Sequence, residues 1–228
     1  MDYLHQFVFG IYPYIALSIF LLGSLIRFER EQYSWKSESS QLVYRGNLRL
    51  GNILFHVGVL GLFFGHLVGL LTPLSVWEAL GVTHSFKQVF AMTAGGIMGS
   101  LALVGLLILL HRRLSSQRLA ANTTWRDKLV LLWLLATLLL GLCTIAVSAQ
   151  HLDGHEMVLL MTWAQHVVTF RGDAAQYIVA ASPIFKLHLF MGMSVFVIFP
   201  FTRLVHVWSG FGALAYLGRA WQLVRPRA

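Results

Sequence analysis

The sequence predicts an all-α membrane protein: five transmembrane helices in one bundle, with the amino terminus outside and the carboxyl terminus in the cytoplasm. Three observations carry this. Of 228 residues, 57% are hydrophobic and 11% charged, which leaves too little polar surface to cover a soluble domain of that size. Five apolar runs reach the roughly 20 residues that a helix needs to cross a hydrocarbon core about 30 Å thick. Finally, 14 of the 17 Lys and Arg residues fall on one side of those runs, as the positive-inside rule requires of a cytoplasmic face.

Helix one is expected over about 7–26; no Lys or Arg precedes it and its apolar core is too long for a cleavable signal, so it is expected to remain as a span. Arg27, Arg30, Lys36, Arg45 and Arg49 follow it. Helix two covers about 53–71 and helix three about 89–110, after which come Arg112, Arg113, Arg118, Arg126 and Lys128. Helix four, about 129–149, holds the single cysteine, Cys143. One cysteine excludes a disulfide framework and a thiolate metal site, and Cys143 is expected to be a small buried apolar residue. The stretch EMVLLMTWAQHVVTF is too short to span and is expected as an outer surface helix over about 156–170.

Helix five covers about 184–207, and its end and the tail of 208–228 add Arg203, Arg219, Arg225 and Arg227. Lys87, Arg171 and Lys186 are left for the outer side. Trp35, Trp77, Trp125, Trp163, Trp208 and Trp221 lie near helix ends, where an interfacial belt would have them. No repeat, phosphate-binding loop, nucleotide fingerprint or catalytic serine motif appears, so residues 1–228 read as a single transmembrane domain.

Helix two carries His56 and His66 in an otherwise apolar run, NILFHVGVLGLFFGHLVG, and helix five carries His188 and His206. Because the two helices are antiparallel, His56 and His206 share the cytoplasmic depth, and His66 and His188 share the outer one. Two histidine pairs stacked across a bundle are what axial ligation of two b-type haems requires. A neutral imidazole on each face gives six-coordinate iron that exchanges an electron and leaves no open position for substrate. The axial spacings are unequal, about 15 Å on helix two against about 27 Å on helix five, and Pro200 is the expected place for helix five to bend. His5, His84, His111, His151, His155 and His166 sit at membrane ends or in loops, where a solvated role is expected.

Gly61, Gly65 and Gly69 on helix two, and Gly95, Gly96 and Gly99 on helix three, allow close approach of a flat macrocycle or of another helix. Arg203, one turn before His206, suits either a haem propionate or lipid phosphate. Lys87, at the outer start of helix three in HSFKQVF, suits either an interfacial lysine or a donor to a quinone oxygen, with His66 at the edge of the same pocket.

Several segments carry a resemblance across nearly the whole chain: FVFGIYPYIALSIFLLGSLIRFEREQYSWKSESSQ, NILFHVGVLGLFFGHLVGLLTP, KQVFAMTAGG, SAQHLDGHEM, WAQHVVTFRG and FKLHLFMGMSVFVIFPFTRLVHVWS. Through them the sequence resembles the gamma subunit of membrane-bound respiratory nitrate reductase, a five-helix di-haem cytochrome b. The match is weaker after Val207. The resemblance implies two haem b groups, the proximal on His56 and His206 and the distal on His66 and His188, and a quinol pocket at Lys87. It implies oxidation of menaquinol or ubiquinol near the distal haem, with protons released outside. Electrons would pass inward to a beta subunit with iron–sulfur clusters and an alpha subunit with the molybdenum cofactor, both docked on the cytoplasmic face of a prokaryotic inner membrane. The residues alone also admit a di-haem anchor of another cytoplasmic redox complex, heterodisulfide-reductase-like or sulfite-linked. A haem-free transporter relaying protons is a third reading, though the intramembrane acidic residues usual in such relays are missing.

Overall fold

Five helices are long and apolar enough to cross a membrane in the computed structural model of the chain, which describes residues 2–31, 47–121, 123–150 and 152–209. They are α1 (Tyr3–Arg30), α2 (Leu48–Leu71), α3 (His84–Ser115), α4 (Trp125–Ser148) and α5 (Pro183–Ile198). Trp35, Lys36, Arg45, His151, Arg219, Trp221, Arg225, Arg227 and the tail from 210 onward lie outside the described residues.

Helices suit these segments because in hydrocarbon each backbone polar group must be satisfied internally. Two prolines mark where that ladder fails. Pro13 cannot supply the amide that an α-helix would give to Phe9 O. The chain passes through a π-helical turn at Phe7–Ile11, and the indole N–H of Trp163 donates to Phe9 O at 2.9 Å. Pro200 likewise ends the second case: α5 stops at Ile198, and two 3-10 turns, Phe199–Phe201 and Arg203–Val205, flank an extended Thr202. The guanidinium of Arg27 on α1 donates to Pro200 O at 2.7 Å and Thr202 O at 2.8 Å, tying α1 to the backbone at the break. The bend expected at Pro200 is a full break: the helix ends at Ile198 and does not run on to residue 207, and the break lies between His188 and His206.

Around the bundle α2 packs on α3, α3 on α4, α4 on α5 and α5 on α1. The tightest crossing is α2 against α3. A Cβ on Gly58 would collide with the backbone of Met98 and Ala102, and one on Gly105 with the backbone of Phe55 and Gly51. Only glycine permits that approach. The helix expected at the surface is His155–Val168, and it caps one end of the bundle. Its Trp163, Ala164 and Val167 are buried with Phe9, Ala175 and Ile178, while Gln165 Nε2 donates to Leu70 O at 3.1 Å and Thr72 O at 3.2 Å, closing the carboxyl end of α2. Arg27, Arg112, Arg113 and Arg203 gather at the opposite, arginine-rich end.

Three local expectations are corrected. Cys143 is exposed on α4, whose neighbouring Gly141 faces His188 of α5 and Leu142 faces Gly99 of α3. Trp163 is 3% exposed, because its indole completes the π-turn of α1. His166 is buried, not solvated: its Nδ1 lies 2.7 Å from Asp173 Oδ1, its ring packs edge-on to Tyr177, and Arg171 Nη1 lies 3.4 Å from Nε2.

Candidate functional site

The four helix histidines come together in two pairs at two depths. The ring centres of His56 and His206 are 6.1 Å apart, and those of His66 and His188 are 6.2 Å apart. A metal–imidazole bond of about 2.0 Å on each side, with about 1.1 Å from each nitrogen to its ring centre, separates two ring centres by about 6.2 Å. Direct imidazole–imidazole stacking would bring them closer.

Each ring is also fixed in one tautomer. Nδ1 of His56 meets Asn52 O at 2.8 Å, Nδ1 of His66 meets Leu62 O at 2.7 Å, Nδ1 of His188 meets Thr137 O at 3.1 Å, and Nδ1 of His206 meets Arg203 O at 2.6 Å. A carbonyl only accepts, so the proton is on Nδ1 and the lone pair is on Nε2 in all four. Such carbonyl-oriented imidazoles are the usual state of metal-bound histidine. Among the described residues, no group of three or more His, Cys, Asp or Glu side chains forms a metal site. Two nitrogens per pair therefore suit a metal whose remaining ligands arrive with it.

The glycines divide between the two roles expected of them. A Cβ on Gly61 would strike Met98 Sδ at 2.6 Å and one on Gly99 would strike Leu142 at 2.7 Å, so these serve helix packing. A Cβ on Gly65, Gly69 or Gly95 would meet nothing within 4 Å. Gly65 and Gly69 stand on either side of His66 in α2, and no neighbour fills the space that a Cβ at either would take.

Lys87 is 6% exposed, which removes the reading of an ordinary interfacial lysine. Its Nζ donates to Gly69 O at 3.0 Å, a carbonyl in the last turn of α2, and to Met161 Sδ of the cap helix at 2.6 Å. It also stands 4.9 Å over the ring of Trp77. The buried Nε1 of Trp77 has no hydrogen-bond partner among the described residues. The cation thus sits among α2, α3 and the cap helix, at the His66–His188 end.

Arg203 is engaged by protein. Its Nε and Nη2 donate to Asp127 Oδ1 at 2.8 Å and 2.6 Å, and Arg113 Nη1 lies 3.3 Å from Asp127 Oδ2. Thr124 and Asp127 form a capping box that opens α4, with Thr124 N donating to Asp127 Oδ2 at 3.1 Å. Asp127, Thr137 and Gly141 carry no sequence signal of a role in the site. The nearest to one is the Thr-x-x-Asp spacing, which marks a helix start and says nothing of a partner on α5.

A family profile described as "Nitrate reductase gamma subunit" matches residues 5–227. The chain is 49% identical to the respiratory nitrate reductase 1 gamma chain of Escherichia coli K12, over 100% of both chains. It is 46% identical to the respiratory nitrate reductase 2 gamma chain of the same organism, covering 100% of this chain and 99% of the relative. To the nitrate reductase gamma chain of Bacillus subtilis 168 it is 36% identical, covering 98% of this chain and 99% of that one.

Proposed function

This chain belongs to the nitrate reductase gamma subunit family and crosses the inner membrane several times, and from that premise we propose that it is the quinol-oxidising di-haem cytochrome b of its complex. The observation that carries the proposal is the pairing of four imidazoles at separations of 6.1 Å and 6.2 Å, each with Nδ1 tied to a carbonyl and Nε2 available.

His56 and His206 would hold the proximal haem b, and His66 and His188 the distal one. When bound, each haem supplies a reversible one-electron carrier, joining quinol on one side of the membrane to a cytoplasmic iron–sulfur partner on the other. The residues do the rest. Two imidazoles for each haem would hold it through protein nitrogens alone and suit it to electron exchange, not to binding oxygen or nitrate. The carbonyl bonds at Nδ1 would hold the four imidazoles in place in both oxidation states.

The arginine-rich end, with Arg27, Arg112, Arg113 and Arg203, faces the cytoplasm by the positive-inside rule. That face would dock the beta subunit, and through it the alpha subunit with the molybdenum cofactor. Lys87 lies at the other end, where a donor to a quinone oxygen is needed. Its ammonium has three protons and two protein acceptors, so one N–H remains for substrate. The indole N–H of Trp77 is a second donor there, and His66 borders the same region. Oxidation of one menaquinol or ubiquinol gives the quinone, two electrons and two protons, the protons leaving on the outer side. Nitrate is reduced in the partner.

The test is reduction of b-type absorbance in membranes containing the complex by a menaquinol analogue. Rapid reduction that a quinone-site inhibitor blocks supports the proposal; absorbance that responds to dithionite but never to quinol overturns it.

A further inference from the structure

We propose that α4, which supplies no iron ligand, sets the orientation of both imidazoles that α5 and its continuation supply, through Gly141 and Thr137 at one depth and Asp127 at the other. This rests on the axial-ligand reading above and adds positioning residues to it.

Three of the four histidines donate Nδ1–H to a carbonyl of their own segment, three or four residues back. His188 alone reaches another helix, bonding Thr137 O of α4 at 3.1 Å. In an α-helix that carbonyl already accepts the amide of Gly141, so the imidazole shares it and must lie close against the α4 backbone. A Cβ on Gly141 would stand 2.9 Å from His188 Cε1 and 3.4 Å from its Nε2, the atom that would carry iron. Glycine at 141 is what lets the ring settle there. Trp133 Nε1 donates to Met191 O at 3.1 Å, holding the α5 backbone to α4 one turn from His188.

His206 follows the break in α5, so the orientation of the helix above it does not propagate to it. Its Nδ1 partner is Arg203 O, and the guanidinium of Arg203 is held by two charge-assisted bonds to Asp127 Oδ1. Asp127 is itself fixed by the capping box of α4. The path from α4 to the second ligand is thus carboxylate, guanidinium, backbone carbonyl and imidazole. Bonds of this forked, charged kind define geometry as well as attraction.

The test is electron paramagnetic resonance and redox titration of the haem-loaded complex in membranes. Gly141→Ala should shift the low-spin signal and midpoint potential of the haem at His66 and His188, leaving the other unchanged. Asp127→Asn should shift those of the haem at His56 and His206 alone, and Asp127→Glu should return them toward wild type. Unchanged signals in both Gly141→Ala and Asp127→Asn would overturn the proposal, as would effects spread over both haems or loss of both, which a general packing role predicts. A wild-type complex without two b haems would overturn the ligand reading instead, and the two failures are therefore distinct.

Discussion

The imidazole planes of His56 and His206 cross at 67°, whereas those of His66 and His188 are inclined by 43°. The angle between axial imidazoles governs how far the two iron orbitals that share the unpaired electron are split, and crossed planes leave them closest in energy. Oxidised membranes should therefore show two low-spin ferric signals of unequal anisotropy. The more anisotropic one should vanish in His206→Ala and persist in His188→Ala; the reverse pattern would contradict the assignment of depths.

Lys87 is buried with a protein acceptor on α2 and another on the cap helix, a costly place for a cation with no further role. A hydrogen bond to a charged group contributes about 1.5–3 kcal/mol, so Lys87→Ala should weaken a quinone-site inhibitor by roughly 10- to 150-fold. Both haems should remain at wild-type content. Unaltered inhibitor affinity would leave Lys87 as a structural tie between helices.

Gly58 and Gly105 stand where α2 and α3 touch backbone to backbone. Gly58→Val and Gly105→Val force the helices apart, with a cost of at least the roughly 1–3 kcal/mol typical of overpacking. Thermal unfolding of purified protein should show a lowered midpoint for both. Gly95→Ala, whose Cβ would meet nothing within 4 Å, should leave that midpoint unchanged. Equal effects at all three positions would contradict the crossing.

Asp173, in the loop after the cap helix, has its carboxyl held below the usual aspartate range by the hydrogen bond from His166. A group with a depressed folded-state pKa stabilises fully above its unfolded value, about 3.9 for aspartate, and loses that contribution as pH falls toward the folded value. Hydrogen exchange of the Ala174–Ile178 turn should accelerate below about pH 4, beyond the intrinsic pH dependence. Asp173→Asn should abolish that extra step, and an unchanged step in the variant would place its origin elsewhere.

The five spans were legible in the sequence because hydrocarbon imposes length and apolarity on any helix that crosses it, whatever its neighbours. Histidine pairing was legible for a related reason: arginine placement gives each helix a direction, and direction gives each histidine a depth. The break at Pro200 was readable as a bend, but its extent was not, since that depends on Arg27 arriving from α1 to bond Pro200 O and Thr202 O. Gly58 and Gly105 look no different from other glycines until α2 meets α3. Asp127 and Gly141 were illegible for the same reason, their partners being contacts between helices that no local spacing encodes. His166 misled because a position near a helix end does not reveal the Asp173 and Tyr177 that fold over it.

Haem content measured against protein in the purified complex, from the dithionite-reduced minus oxidised spectrum, tests the central claim most directly. The four paired imidazoles predict two haem b per chain in wild type and one in each of His56→Ala and His66→Ala. A wild-type value of zero, or two haems retained in either variant, would contradict it.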